Sequence, residues 1–209
     1  MPGRLISFEG GEGAGKSTVI GAVEARLRAR GLPVLRVREP GGTRVGEAVR
    51  GVLLDPDLRG MAPDAELLLM FAARAQLLEE IVRPALARGD FVLADRFTDA
   101  SFAYQGGGRG IDSGWIAELE RRVVGLKPDL TLLLDVDVAT GLARARGRGT
   151  GSDRIEAESR AFFSRVRDAY RAAAQRDPAR WRVLDAGQAV EQVTAAALAA
   201  VDAWLEVQR

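Results

Sequence analysis

Cysteine and histidine are both absent from the 209 residues. Their absence removes thiol nucleophiles, disulfides, imidazole bases and the usual zinc constellations together. Chemistry in this chain must run on carboxylates, lysine, arginine, hydroxyls, backbone amides and hard metal ions. A surplus of one charge is also missing, because 30 Lys and Arg stand against 29 Asp and Glu, a formal net charge of +1. That balance provides no overall field for non-specific nucleic-acid or membrane binding. Neither partner is expected, and any basic site must be local. No stretch approaches the ~20 apolar residues of a membrane span, and the N-terminal MPGRLISFEG has too short an apolar run for a signal peptide. A cytoplasmic protein is the expectation.

What is present is a rhythm of short apolar runs and helical spacings. LISF (5–8), VLRV (34–37), FVLAD (91–95), LTLLLDV (130–136) and the weaker WRVLD (181–185) read as buried strands. Between them Val19, Val23 and Leu27 repeat at i, i+4 ahead of Gly31, a suitable C-cap. The longest helical pattern spans 63–88, with Pro84 expected to bend or interrupt it and Gly89 to end it. Further helices are expected at 115–124, 139–146, 156–175 and 190–207. Alternating strands and helices predict an α/β fold, a five-stranded parallel sheet with helices on both faces, as one domain over 1–209. Two segments that mix glycine with arginine, 104–114 and 144–154, depart from the rhythm and read as binding or moving loops.

The segment GGEGAGKST directly follows the first strand. Gly10, four intervening residues, then Gly15, Lys16 and Ser17 match the Walker A pattern, between a buried strand and an amphipathic helix as its mechanism requires. Glycines let backbone N–H groups turn to an anion, and the following helix adds unsatisfied amides. Lys16 reaches the β and γ phosphates, and the Ser17 hydroxyl can ligate Mg²⁺. A P-loop NTPase fold binding a nucleoside triphosphate such as ATP with Mg²⁺ follows, the cradle comprising Gly10, Gly11, Glu12, Gly13, Ala14, Gly15, Lys16, Ser17 and Thr18. No Asn-Lys-x-Asp guanine reader occurs, and DAGQ (185–188) follows the fifth strand, so it reads as a strand-end turn. A small-molecule kinase is the better class than a GTPase.

An acceptor that already carries phosphate needs cations of its own. Arg96 follows Asp95 at the end of a strand, where open α/β sheets bind ligands; Arg38 ends the second strand, and Arg50 and Arg74 project from helices. Asp95 reads as a carboxylate near the metal and Arg96 as a clamp on phosphate. The cluster of Arg38, Arg50 and Arg96 disfavours a nucleoside acceptor, and the near-neutral charge disfavours a nucleic-acid-binding ATPase that uses QGGGRG on backbone phosphates.

Taken together, EGGEGAGKST, REPGGT, LLLMFAARAQL, DRFTDASFAYQGGGRG, PDLTLLLDV and RARGRGTGSDRIE, in this order over about 5–160, resemble the bacterial thymidylate kinases. The resemblance implies transfer of the ATP γ-phosphoryl group to dTMP, giving dTDP and ADP in dTTP biosynthesis, by a homodimer. Residue by residue, it implies that Arg96 and Arg38 hold the dTMP phosphate and that Arg74 and Arg50 face the thymine, with Arg74 donating to a base carbonyl. Ser101 and Gln105 read the other polar edge of the base, and Tyr104 packs on the deoxyribose where a 2′-hydroxyl would sit. Glu39 joins the network around phosphate and Mg²⁺, and Glu12 turns away from ATP to the 3′-hydroxyl of the acceptor. The family's stacking aromatic lies four residues before the helix arginine; Met70 occupies that place here, with Phe71 three before Arg74, so Phe71 is the preferred stacking residue and Met70, through its polarizable sulfur, the alternative. The segment 144–154 is implied to be a short lid over ATP, and Arg148 the arginine it supplies. Phosphoryl transfer to an ionised phosphate oxygen needs positioning and charge neutralisation more than a strong base, which suits a chain without His or Cys.

Overall fold

The computed structural model describes residues 3–147 and 153–207. The apolar runs form β1 (Arg4–Glu9), β2 (Val34–Arg38), β3 (Phe91–Asp95), β4 (Leu130–Asp135) and β5 (Trp181–Asp185). All pair in parallel in one five-stranded sheet, ordered β2-β3-β1-β4-β5. The helices among the described residues are α1 (Lys16–Ala29), α2 (Arg44–Leu54), α3 (Pro63–Leu77), α4 (Arg83–Arg88), α5 (Thr98–Ser101), α6 (Ser113–Leu119), α7 (Val138–Arg146), α8 (Arg160–Arg176) and α9 (Val190–Val207). None is long and apolar enough to cross a membrane.

Alternation along the strands sends side chains to both faces. Ile6, Phe8, Leu93, Leu132 and Leu134 pack with Val19, Ile20 and Val23 of α1 and Val201 and Trp204 of α9. On the opposite face Leu5, Val92 and Ala94 pack with Leu67 and Phe71 of α3 and Ile116 of α6, while Leu133 joins Phe162, Val166 and Tyr170 of α8. Coverage on both faces explains why these strands read as unbroken apolar runs. Each fully buried Leu or Phe contributes about 1.5–3 kcal/mol, so the strand ends that carry the site are held from below by apolar packing.

Several local expectations are corrected. At Pro84 the α-helical run over 63–88 is interrupted without ending, a π-helical turn over Leu78–Val82 joining α3 to α4. The widened turn gives room to a ring without an N–H, and Pro84 falls in the first turn of α4. Gly89, at φ 89°, ends α4 as expected. The first part of 104–114 is not a loop: Phe102–Gly108 is a second π-helical turn with Tyr104, Gln105 and Gly108 buried. A Cβ at Gly108 would lie 2.4 Å from the Phe162 ring, so glycine here admits α8. Helix α8 starts at Arg160, later than position 156, because Ser159 caps it by accepting from the Phe162 amide. Asp153 holds the preceding turn, its Oδ1 accepting from the Ile155 and Glu156 amides. Helix α2 carries Arg50, expected to project from a helix; its start is marked by Thr43, whose hydroxyl accepts from the Gly46 amide.

Parts of the segment 144–154, expected to be a lid, belong to helical or buried structure. Arg144 and Arg146 belong to α7. Arg154 is buried, its Nε donating to the Leu53 carbonyl at 2.8 Å and its guanidinium 2.7 Å from Glu66. Arg148 lies outside the described residues.

Candidate active site

The site lies at the carboxyl ends of the strands, where β1 sits between β3 and β4 and the chain's crossovers diverge to either side. Register sets Phe8 and Arg38 level with Asp95, so Glu9, Arg38 and Asp95 emerge along one edge. Loop backbone continues the pairing: the Arg96 amide donates to Phe8 O and the Glu39 amide to Asp95 O, both at 3.0 Å.

On the donor side, residues 10–15 make a tight loop into α1. Gly13 has φ 68°, and a Cβ there would lie 2.0 Å from the Gly141 carbonyl, so the loop closes on α7 only with glycine. Gly15 caps α1 in a left-handed conformation without a side-chain hydrogen bond, which leaves the first-turn amides to an anion. Lys16 Nζ donates to the carbonyls of Gly10 and Gly11 at 3.2 Å. Burial, followed by the charge of Arg96, pushes its ammonium below the ordinary lysine value. A solvent-open cleft of about 850 Å³ is lined by Glu12, Gly13, Ala14, Gly15, Lys16, Ser17 and Thr18 together with Arg38, Glu39, Arg50, Asp95 and Arg96. Beside it a second hollow runs from Gly13, Ala14, Gly15 and Val19 to Arg144, Gln188 and Val190. Arg144, where the expected helix 139–146 and the expected loop 144–154 overlap, is a helix residue, donating to Ala186 O at 2.7 Å.

The acceptor-side cavity is lined by Glu12, Glu39, Arg50, Met70, Arg74, Arg96, Ser101, Tyr104 and Gln105, with Leu54, Asp153 and Ile155 closing it. Arg74 is 2% exposed and fixed on three sides: Nε donates to Glu39 at 2.7 Å, one terminal nitrogen to Ser101 Oγ at 3.2 Å, the other to Phe97 O at 3.3 Å. Burial pushes the Glu39 carboxyl up, against the opposing pull of Arg74. Breaking such a buried pair from one side costs about 3–5 kcal/mol, which ties β2 to α3.

Glu12 leaves the phosphate loop and crosses to this cavity. Its Oε1 accepts from Arg96 at 2.7 Å and from the Tyr104 hydroxyl at 3.0 Å, while the Arg96 guanidinium stacks 4.7 Å from the Tyr104 ring. Arg96 has φ 70°, a left-handed backbone unusual for a side chain of its size. It is held by a donation to Gly10 O at 3.0 Å and by Glu9, whose Oε1 accepts from the next amide, Phe97, at 2.8 Å. Tyr170 donates to Glu9 Oε2 at 2.7 Å. Burial, with the neighbouring Asp99 charge, pushes the Glu9 carboxyl up to about 8. Although burial opposes its charge, Arg96 is held well above the ordinary arginine value by Tyr104, Glu12, Tyr170 and Asp95.

Most of the expected site residues are thus brought together, and three are placed differently. Met70, not Phe71, lines the cavity; Phe71 is 3% exposed in the core, its ring 4.7 Å below the Arg74 guanidinium. The phase of α3, which must turn Leu67 and Phe71 onto the sheet, leaves Met70 for the cavity. Arg50 lines both cavities and donates to Pro40 O at 2.9 Å, so it stands at their junction and not on the base side alone. Arg38 lines only the donor-side cleft and pairs with the half-exposed Glu47 at 2.8 Å. Glu9, Glu66 and Tyr170 were not among the expected site residues, and Arg109 was marked only as part of the glycine–arginine segment 104–114. Glu9, a charge ending an apolar strand, left a signal, whereas Glu66 and Tyr170 left none.

A family model described as thymidylate kinase matches residues 8–197. The thymidylate kinase of Methylococcus capsulatus is 55% identical over 205 residues, covering 98% of this chain and 97% of that protein. That of Pseudomonas syringae pv. tomato is 54% identical over the whole of both chains. The crystal structure of thymidylate kinase from Ehrlichia chaffeensis superposes with a TM-score of 0.76 at 31% identity, covering 96% of this chain and 97% of that one. With its all-parallel sheet, its phosphate loop and these relatives along nearly its whole length, the chain belongs to the thymidylate kinase family.

Proposed function

We propose that the chain is one P-loop kinase domain that transfers the γ-phosphoryl group of ATP to dTMP, releasing dTDP and ADP. The observation that carries this reading is the wall shared by the two cavities, to which Glu12, Glu39, Arg50 and Arg96 all belong. A donor on the glycine loop and an acceptor beside Met70 and Gln105 would bring their phosphates together there. Lys16, the first-turn amides of α1 and Thr18 would hold the donor phosphates. Arg96, with Arg38 and Arg50 near it, would hold the acceptor phosphate; its preset geometry keeps the cation in place before substrate arrives, so little reorganisation is left for the reaction. The hard oxygens of Ser17 and Asp95 on the same cleft suit Mg²⁺, which would neutralise phosphate charge when bound. No protein base is required, because the attacking oxygen is already ionised.

At the other end of the acceptor cavity, Arg74 retains N–H donors for a base carbonyl beyond those used on Glu39, Ser101 and Phe97. Tyr104 and Glu12, already joined, would sit against the sugar, where the phenol leaves a deoxyribose better accommodated than a ribose. Self-association as a homodimer is supported by the exposed apolar Val45 and Val52 of α2 and Leu68 of α3. The test is ADP formation from ATP and Mg²⁺ with dTMP, dUMP, dCMP and thymidine in turn. We expect dTMP to be the best acceptor and thymidine to be inert; a preference for thymidine would replace this reading with a nucleoside kinase.

A further inference from the structure

Behind the acceptor cavity, on α3, lies a carboxylate that the phosphoryl-transfer chemistry does not use. Glu66 is 0% exposed, and its two oxygens are divided among three side chains. Oε1 accepts from Gln105 Nε2 at 2.9 Å and Arg109 Nε at 3.2 Å; Oε2 accepts from Arg109 at 3.0 Å and lies 2.7 Å from the Arg154 guanidinium. Burial raises a carboxyl, yet the bonds from Arg109, Gln105 and Arg154 more than offset it and keep Glu66 below its ordinary value. It is an ionised group that can only accept hydrogen bonds.

That chemistry decides which way the Gln105 amide faces. A carboxylate oxygen attracts the amide nitrogen and repels the amide oxygen, so Gln105 gives its nitrogen to Glu66. Its carbonyl oxygen is then the group that this cavity-lining residue keeps for a ligand. Arg74, across the same cavity, offers only donors. A fixed donor and a fixed acceptor match a pyrimidine edge with a carbonyl at C4 and an N–H at N3. They mismatch cytosine, which reverses both. We propose that Glu66 is a specificity-determining positioning residue: by holding the Gln105 amide in one orientation, it makes the cavity accept the thymine or uracil edge and reject the cytosine edge. This rests on the reading of the cavity as the dTMP site.

The test uses Glu66→Gln. Its one remaining oxygen is drawn to the two guanidiniums at the Oε2 position, which places its NH₂ opposite Gln105 and favours the flipped amide. The ratio of kcat/KM for dCMP to that for dTMP is expected to rise at least about tenfold, the scale of one misdirected hydrogen bond to a charged group. Arg109→Ala, which loosens the same cluster but leaves the Glu66–Gln105 bond, should lower Tm without moving the ratio. A fall in both activities with an unchanged ratio in Glu66→Gln would overturn the proposal and leave Glu66 a structural ion-pair partner. If Glu66→Gln does not fold, the Gln105 side-chain amide of the wild-type enzyme is followed by NMR. Amide protons protected from exchange equally with and without dTMP support the proposal. Protons that leave Glu66 and bond the nucleotide overturn it. Absence of dTMP turnover by the wild type is a separate outcome, and it removes the dTMP reading itself.

Discussion

The two sides of the cleft are assembled over different distances in the chain. On the donor side Lys16 bonds carbonyls only six and five residues away, and the lining of residues 12–18 is consecutive. On the acceptor side Arg74 reaches Glu39 across 35 positions and Ser101 across 27, while Glu12 receives Arg96 across 84 and Tyr104 across 92. In the proposed reading, a local loop made of backbone amides would bind what all nucleoside triphosphates share, their phosphates. Selectivity among acceptors needs side chains aimed from several elements, and these keep their aim through buried pairs packed on the sheet. Glu12 belongs to both sides: its backbone is part of the local loop and its carboxylate is part of the distant assembly.

Substitutions that separate the two sides sharpen this contrast. The largest effect is expected for Lys16→Ala, with kcat lowered by about 10³ or more and dTMP affinity nearly unchanged, since the ammonium serves the donor phosphates. Steady-state kinetics with a binding titration checks it; a matching loss of dTMP affinity would mean that the sides are not separable. Within α3, Phe71→Ala is expected to destabilise the fold by about 3–5 kcal/mol, as for a buried ring, seen in denaturant unfolding. Met70→Ala should instead raise KM for dTMP about tenfold with little change in Tm, the loss of roughly one apolar contact surface. Reversed results would return the stacking role to Phe71.

The smallest effect concerns Glu9 behind Arg96. Its carboxyl is pushed up to about 8 from an ordinary 4.5, so over that interval the folded protein keeps a proton that the unfolded chain has released. Stability from this group is complete below 4.5, declines as pH rises and levels off above 8. The Tm of Glu9→Gln relative to wild type should therefore climb with pH through this window. A constant difference would mean that Glu9 is ionised in the fold.

The same contrast explains what could be read in advance. All five strands and the span 10–18 were legible because apolar runs and the glycine pattern are local signals. Arg74 and Arg96 were marked by their positions on a helix and at a strand end, Ser101, Tyr104 and Gln105 through family resemblance, and the structure gathers all five around one cavity. Phe71 was preferred over Met70 because adjacent helix positions differ by about 100° and only the packing of α3 on the sheet sets the phase. The glycines at 106–108 suggested a loop, although their lack of side chains admits Phe162 and Ala169 of α8. Glu66 and Tyr170 carry no local mark, since their roles depend on partners 39 and 161 positions away.

The central claim is that Arg96, locked against Glu12 and the Gly10 carbonyl, serves the acceptor while the adjoining loop serves the donor. Calorimetric titration of Arg96→Ala with dTMP, and separately with a non-hydrolysable ATP analogue and Mg²⁺, tests it most directly. The account expects dTMP affinity to fall by about 10², the loss of a charge-assisted phosphate contact, with affinity for the ATP analogue unchanged. Equal losses for both nucleotides, or a loss confined to the ATP analogue, would contradict it.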